Sequence, residues 1–151
     1  MVSEINNDRC DISKSLGFAT INPLDSDFLD KTRDFTDKRG FDAVILAVGS
    51  TKANEQALQV LGQMGRILFF AAGYPAPEMN IDPNSIHYSE YQLIGTYRSD
   101  QNDFQIASKL LSEGVVKTDK LISYKITLDE VQKAFELAAT PGNYRVSLSM
   151  W

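Results

Sequence analysis

The stretch Phe41–Ser50 reads FDAVILAVGS. From Ala43 to Val48 its apolar side chains fall on both faces of a would-be strand. That pattern predicts a central strand of a parallel sheet, covered on both sides by helices. Gly49 ends the run, and Ser50 or Thr51 can cap a helix whose Ala57, Val60, Leu61 and Met64 share one stripe. After the turn Gly62–Arg66 (GQMGR), the segment Arg66–Ala72 (RILFFAA) predicts a second continuous apolar strand. Strand, helix and strand in this order form a parallel crossover unit, so the fold class is α/β.

The same alternation extends in both directions. Upstream, Val2–Glu4 is a short strand, Asn6 or Asn7 can cap the next helix, and Gly17 supplies its left-handed stop. Phe18–Pro23 (FATINP) is another short strand. Asp25 or Ser26 can cap a helix with Phe28, Thr32 and Phe35 on one face. Downstream, Gly73–Asn84 (GYPAPEMNIDPN) is a loop by its Pro, Gly and Asn content, and Tyr91–Tyr97 (YQLIGTY) is a strand. Asp100 can cap a helix with Phe104, Ala107 and Leu111 inward, ended by Gly114. Leu121–Ile126 (LISYKI) reads as a strand, and Thr127 with Glu130 as a capping box. Val131, Ala134, Phe135 and Ala138 form the buried face of the helix that follows, ended at Pro141–Gly142. Tyr144–Trp151 (YRVSLSMW) closes the chain as a strand. There is no internal repeat and no low-complexity tract.

Composition narrows the function classes. The 151 residues allow one domain with a respectable core. Fifteen Lys and Arg against twenty acids leave a net charge of -5 without a basic block, which argues against a nucleic-acid surface. The longest apolar runs, Ala43–Val48 and Ile67–Ala72, are strand-length, whereas a membrane helix needs about 20 apolar residues. The start lacks the charged and apolar regions of a secretory signal. The single cysteine, Cys10, reads as a small packing residue and fits a reducing cytoplasm.

Eight stretches carry a resemblance. They are VSEINNDR (Val2–Arg9), LGFATINP (Leu16–Pro23), RGFDAVILAVGS (Arg39–Ser50), ANEQAL (Ala53–Leu58), GRILFFA (Gly65–Ala71), IHYSEYQLIGTY (Ile86–Tyr97), ITLDEVQKAFELA (Ile126–Ala138) and NYRVSL (Asn143–Leu148). In order and spacing the chain resembles the second half of the zinc-type medium-chain dehydrogenase/reductases, in the sorbitol/polyol or alcohol dehydrogenase branch. That family begins with a catalytic domain bearing Cys, His and Glu zinc ligands, then opens its nucleotide domain with a strand and a G-x-G-x-x-G loop. The nine glycines never fall in that spacing, and one cysteine with one histidine cannot furnish such a zinc site. The resemblance therefore implies an incomplete Rossmann sheet without its first strand and glycine-rich loop. Residues 1–96 would form a partial NAD-binding domain, and 97–151 the part that packs with an absent catalytic domain. In the order 3-2-1-4-5-6 the strands at Val2 and Val44 would flank an empty slot. A complementing segment would fill it, the two strands would close together, or the domain would be poorly stable.

The resemblance also implies site residues. Glu4, at a strand end, would accept hydrogen bonds from the ribose hydroxyls of NAD and repel the 2′-phosphate of NADP. Arg9 falls where a basic residue sits beside the adenine ribose. It would favour NADP more than a bare acid does, but the preceding acid keeps the reading at NAD. Val48 and Gly49 lie where the coenzyme crosses the strand ends, and Gly49 would permit close approach. Ala71, Thr96 and Arg98 fall where backbone groups clasp the nicotinamide amide. Arg98 also suggests a contact to polyol hydroxyls, and Arg145 matches a pyrophosphate-binding position. The competing readings are an ordinary surface acid, solvated charges and a strand-ending turn. His87 is assigned to structure.

The implied activity is hydride transfer between NAD and a secondary alcohol or polyol, with zinc supplied by ligands outside this chain. The chain alone is expected to be inactive and to need an N-terminal catalytic-domain partner. A homo-oligomer through the strand near Tyr91–Tyr97, a cytoplasmic location, and no nucleic-acid or membrane partner complete the expectation. The alternatives are a non-catalytic nucleotide-binding or oligomerisation module, a truncated fragment, or an unrelated flavodoxin-like domain.

Overall fold

The computed structural model describes residues 1–150. Its α/β architecture contains three small sheets, all with parallel pairing. The chain divides into two compact units, Asn22–Arg98 and Met1–Ile21 together with the segment from Ser99 onward.

In the first of these, strands β3 (Phe41–Leu46), β4 (Leu61–Phe69) and β5 (Gln92–Gly95) form a sheet in that order. Helix α3 (Thr51–Val60) makes the crossover from β3 to β4, and Ser50 caps it by accepting from the Ala53 amide. Leu46, Ala57, Leu61 and Ile67 make the core, and Ile67 is fully buried. Val44, Ala53, Leu58, Phe69, Met79 and Tyr91 pack against it. The loop after β4 is tied to α3 by two bonds. Buried Asn54 donates from Nδ2 to the Glu78 carbonyl (2.8 Å), and the Glu78 amide donates to Thr51 Oγ1 (3.0 Å). Helix α2 (Phe28–Phe35) buries Phe28 and Thr32, whereas Phe35 is exposed and stacks against Phe41. Helix α4 (Pro83–Ser89) is capped by Asp82.

The second unit carries β1 (Val2–Ser3), helix α1 (Asn7–Ser15) and β2 (Thr20–Ile21) at one end of the sequence. From the other end come α5 (Gln101–Ser112), β6 (Ile122–Thr127), α6 (Val131–Ala139) and β7 (Arg145–Ser149). Asn6 caps α1 through the Arg9 amide, and Asp100 with Asp103 forms a reciprocal capping box on α5. Lys120 ties the two ends together, donating to the carbonyl (3.2 Å) and hydroxyl (3.3 Å) of Ser15.

Several local expectations differ from the structure. Strand β3 is an edge rather than a central strand among the described residues, because it ladders with β4 alone, and its Ile45 is 65% exposed. Helix α3 stops at Val60; Leu61 begins β4, and Met64 sits exposed at positive φ in the irregular stretch between Leu61 and Arg66. Helix α2 starts after Asp27, not after Asp25 or Ser26, and Asp27 makes no side-chain cap bond. Thr127 and Glu130 do not form a capping box. Leu128–Glu130 is a short 3-10 turn, and the Glu130 carboxylate accepts from Lys133 instead (2.9 Å). Phe104, Leu111 and Phe135 are exposed, so the apolar stripes of α5 and α6 lie largely uncovered among the described residues. The closing strand ends at Ser149, and the Trp151 end of the expected YRVSLSMW strand lies outside the described residues.

Candidate functional site

In the unit that joins the two chain ends, the short β1–β2 ladder sets the position of Glu4. The Val2 amide donates to the Ala19 carbonyl (2.7 Å), and the Glu4 amide to the Ile21 carbonyl (3.0 Å). The chain then turns sharply into α1, and the Glu4 carboxylate organises that turn. Its Oε1 accepts from the Ile5 and Asn6 amides, both at 2.9 Å. Its Oε2 lies 3.9 Å from Arg9 Nη1, an ion pair between half-buried groups. One carboxylate oxygen is therefore committed to the backbone, while the other faces a guanidinium. Such an arrangement can take a hydroxyl as an additional donor, since each carboxylate oxygen has two lone pairs.

Arg9 is held on three sides. Its amide donates to Asn6 Oδ1 (3.1 Å), its Nη1 faces Glu4, and its guanidinium carbon sits 5.2 Å from the ring centroid of Tyr144. Its Nε is buried and has no hydrogen-bond partner among the described residues. The Tyr144 main chain is held in turn, because its backbone N–H donates to Ser123 Oγ (2.9 Å). Arg145, the next residue, is exposed at the start of β7 opposite Ile122. Cys10 is buried beneath the same turn, its Sγ donating to the Glu4 carbonyl at 3.3 Å, which is the packing role its sequence context predicts.

In the other unit, the remaining candidates collect at the carboxyl ends of neighbouring parallel strands. Val48 and Gly49 follow β3, Ala71 follows β4, and Thr96 and Arg98 follow β5. Val48 is exposed. Ala71 donates its amide to the Leu46 carbonyl (3.0 Å), and Thr96 to the Phe69 carbonyl (3.3 Å). A backbone donation from either residue to a ligand would have to replace a sheet bond. The backbone that approaches Gly49 is that of Gly73, so close that a Cβ on Gly73 would lie 2.5 Å from the Gly49 oxygen. Arg98 adopts a positive φ of 65° and folds over the neighbouring Tyr97 ring at 4.8 Å.

The structure thus brings together Glu4 and Arg9 in one unit, and Val48, Gly49, Ala71 and Thr96 at one sheet end in the other. Sequence reasoning missed Tyr144. It lies within NYRVSL beside Arg145, but nothing local couples it to a residue from the far end of the chain. Zinc does not fit the residues present: among the described residues no three His, Cys, Asp or Glu cluster as ligands, and the Cys10 thiol is spent on a carbonyl.

Comparison with known proteins places the chain in a family. The model of the zinc-binding dehydrogenases matches residues 1–113. The chain is 30% identical over 135 residues to the 2-dehydro-3-deoxy-L-galactonate 5-dehydrogenase of Pseudoalteromonas atlantica, covering 89% of this chain and 39% of that enzyme. It is 30% identical over 130 residues to the D-arabitol-phosphate dehydrogenase of Enterococcus avium, covering 85% of this chain and 36% of that enzyme. The alcohol dehydrogenase of Thermus sp. ATN1 superposes with a TM-score of 0.85 at 22% identity, over 97% of this chain and 42% of that one. The chain spans about two fifths of the length of these relatives. The parallel α/β arrangement is that of their NAD-binding, Rossmann-like C-terminal half. With a family match across most of its length and this sheet beneath its strand-end residues, the chain belongs to the zinc-binding dehydrogenases, a family of oxidoreductases.

Proposed function

We propose that the chain is the coenzyme-binding part of an NAD-dependent dehydrogenase that moves hydride between NAD and a secondary alcohol or polyol. The observation that carries this reading is the Glu4 turn. An acid at the end of a parallel strand keeps one oxygen for the backbone and presents the other beside Arg9. This is the chemistry that recognises adenosine-ribose hydroxyls. In this reading Arg145 meets the pyrophosphate, Val48 and Gly49 pass beneath the coenzyme, and Ala71, Thr96 and Arg98 border the nicotinamide. Arg98 is then also near the hydroxyls of a polyol substrate. The dehydrogenase names of the sugar-acid and pentitol-phosphate relatives support an alcohol or polyol substrate.

By itself the chain is inactive in this reading, since Cys10 is engaged elsewhere and zinc ligands would come from an N-terminal catalytic-domain partner. In the domain division of this reading, residues 1–96 form the partial coenzyme domain, while 97–151 pack on that partner and lend Arg98 and Arg145 to the coenzyme. A cytoplasmic location goes with this assignment. Among the described residues no helix is long and apolar enough to cross a membrane.

A second reading, an oligomerisation module, is favoured by β5. Its outer edge carries no ladder among the described residues, and Leu93 and Ile94 are each 40% exposed. A second copy pairing there, through the strand near Tyr91–Tyr97, is compatible with coenzyme binding. NADH titration by fluorescence, with Glu4→Ala alongside, separates the two. Binding weakened by the substitution supports the coenzyme reading. A folded chain that associates but binds no NADH leaves the module.

A further inference from the structure

We propose that Tyr144 is a positioning residue that locks Arg9 against Glu4 and thereby sets the preference for a free ribose 2′-hydroxyl over a 2′-phosphate. The inference rests on the reading of the Glu4 turn as the adenosine-ribose site.

A carboxylate and an arginine at such a site pull in opposite directions. The carboxylate accepts from ribose hydroxyls and repels a phosphate, whereas a free guanidinium grips a 2′-phosphate in bidentate fashion. Which of them governs depends on whether Arg9 can turn toward the ligand. In this structure its side chain, about one third exposed, is held by Glu4 and Tyr144. Its Nη1 pairs with Glu4 Oε2 at 3.9 Å, its guanidinium carbon lies over the Tyr144 ring at 5.2 Å from the centroid, and its Nε is buried without a partner among the described residues. With Nε buried and unpaired, a donor that costs free energy where it lies, what holds the guanidinium is the Glu4 ion pair and the ring contact. The Tyr144 backbone is tied down at the entry to β7, where its N–H donates to Ser123 Oγ, so the ring projects from a held main chain. To turn its N–H edge from Glu4 to a 2′-phosphate, Arg9 must swing away from its present place over the ring, and the cation–π attraction opposes that swing. The ring thus makes an otherwise phosphate-seeking residue a neutralising partner for Glu4.

The signature of this role is a gain that structural damage cannot mimic. The probes are AMP and adenosine 2′,5′-bisphosphate, which carry only the adenosine end, titrated against the full chain by calorimetry. Wild type and Tyr144→Phe should both prefer AMP. Tyr144→Leu, which keeps apolar bulk but loses the ring, should gain affinity for the bisphosphate relative to AMP by about fivefold, the scale of a partly exposed cation–π contact. In an Arg9→Ala background the same Tyr144→Leu change should leave the ratio unmoved. The lock is also visible without ligand: the Arg9 Nε–H resonance should be ring-shifted and slow to exchange in wild type and Tyr144→Phe, and averaged in Tyr144→Leu. An unchanged ratio in Tyr144→Leu, or equal loss of both ligands, overturns the selectivity role. A freely averaging Arg9 signal in wild type overturns the lock even where AMP binds. If wild type binds neither nucleotide, the ribose-site reading falls, and this inference with it.

Discussion

Gly49 and Gly73 meet backbone to backbone, with the Gly49 carbonyl packed where a Gly73 side chain would have to sit. They follow β3 and β4, so the loops leaving two neighbouring strands are pressed together at the sheet end that carries Val48 and Ala71. A Cβ at Gly73 would lie 2.5 Å from that oxygen, and no flexible side chain stands there to yield. Gly73→Ala should therefore cost about 1–3 kcal/mol through overpacking, read as a lower midpoint in urea. Gly95→Ala is the control: its Cβ would enter open space, and the midpoint should hold or rise slightly.

The pin between α3 and the following loop is equally specific. Asn54 is 4% exposed, and its Nδ2 bond to the Glu78 carbonyl spans a tight 2.8 Å. Asn54→Ala should cost about 0.5–1.5 kcal/mol, the net worth of the hydrogen bond that the loop loses. Hydrogen exchange at Glu78 and Met79 should accelerate more than exchange in β4.

Ile67 is the most completely buried side chain of its unit, at 0% exposure. Ile67→Val should cost about 0.5–1.5 kcal/mol and Ile67→Ala about 2–5 kcal/mol in equilibrium unfolding. A cost for the alanine variant near that of valine would mean the core collapses around the gap.

Glu4→Gln separates the two jobs of one side chain. The amide oxygen can still accept from the Ile5 and Asn6 amides, so folding should change little, while the charge facing Arg9 is lost. NADH affinity should fall about tenfold, the scale of a charge-assisted hydrogen bond. Calorimetry on the variant, with its melting curve beside it, checks both halves.

Much of the fold was legible because its signals are local. Asn6, Ser50 and Asp100 cap the helices they precede, as short polar side chains before an apolar period should. The apolar runs became β3 and β4, and LISYKI became β6. What was not legible depends on partners. Periodicity on α5 and α6 states that Phe104, Leu111 and Phe135 share a helix face, but not what covers that face, and here they are exposed. The Thr127–Glu130 pattern failed because Lys133 offered Glu130 an ion pair one turn on. Of the candidate site, Glu4 and Arg9 were readable as neighbours across a turn. The Tyr144 ring under Arg9 was not, because a contact between the two chain ends leaves no spacing to read.

The Glu4 turn stands on a very short ladder: β1 and β2 contribute two residues each. Pairings so small open at the low end of the free-energy scale, well before a domain unfolds. A ligand seated on Glu4 would then help to build the ground it stands on, and part of its binding energy would go into ordering β1 and β2. Affinity at this site becomes a property of the whole strand pair. Changes at Ala19 or Ile21, whose carbonyls hold Val2 and Glu4, would tune it without touching the ligand.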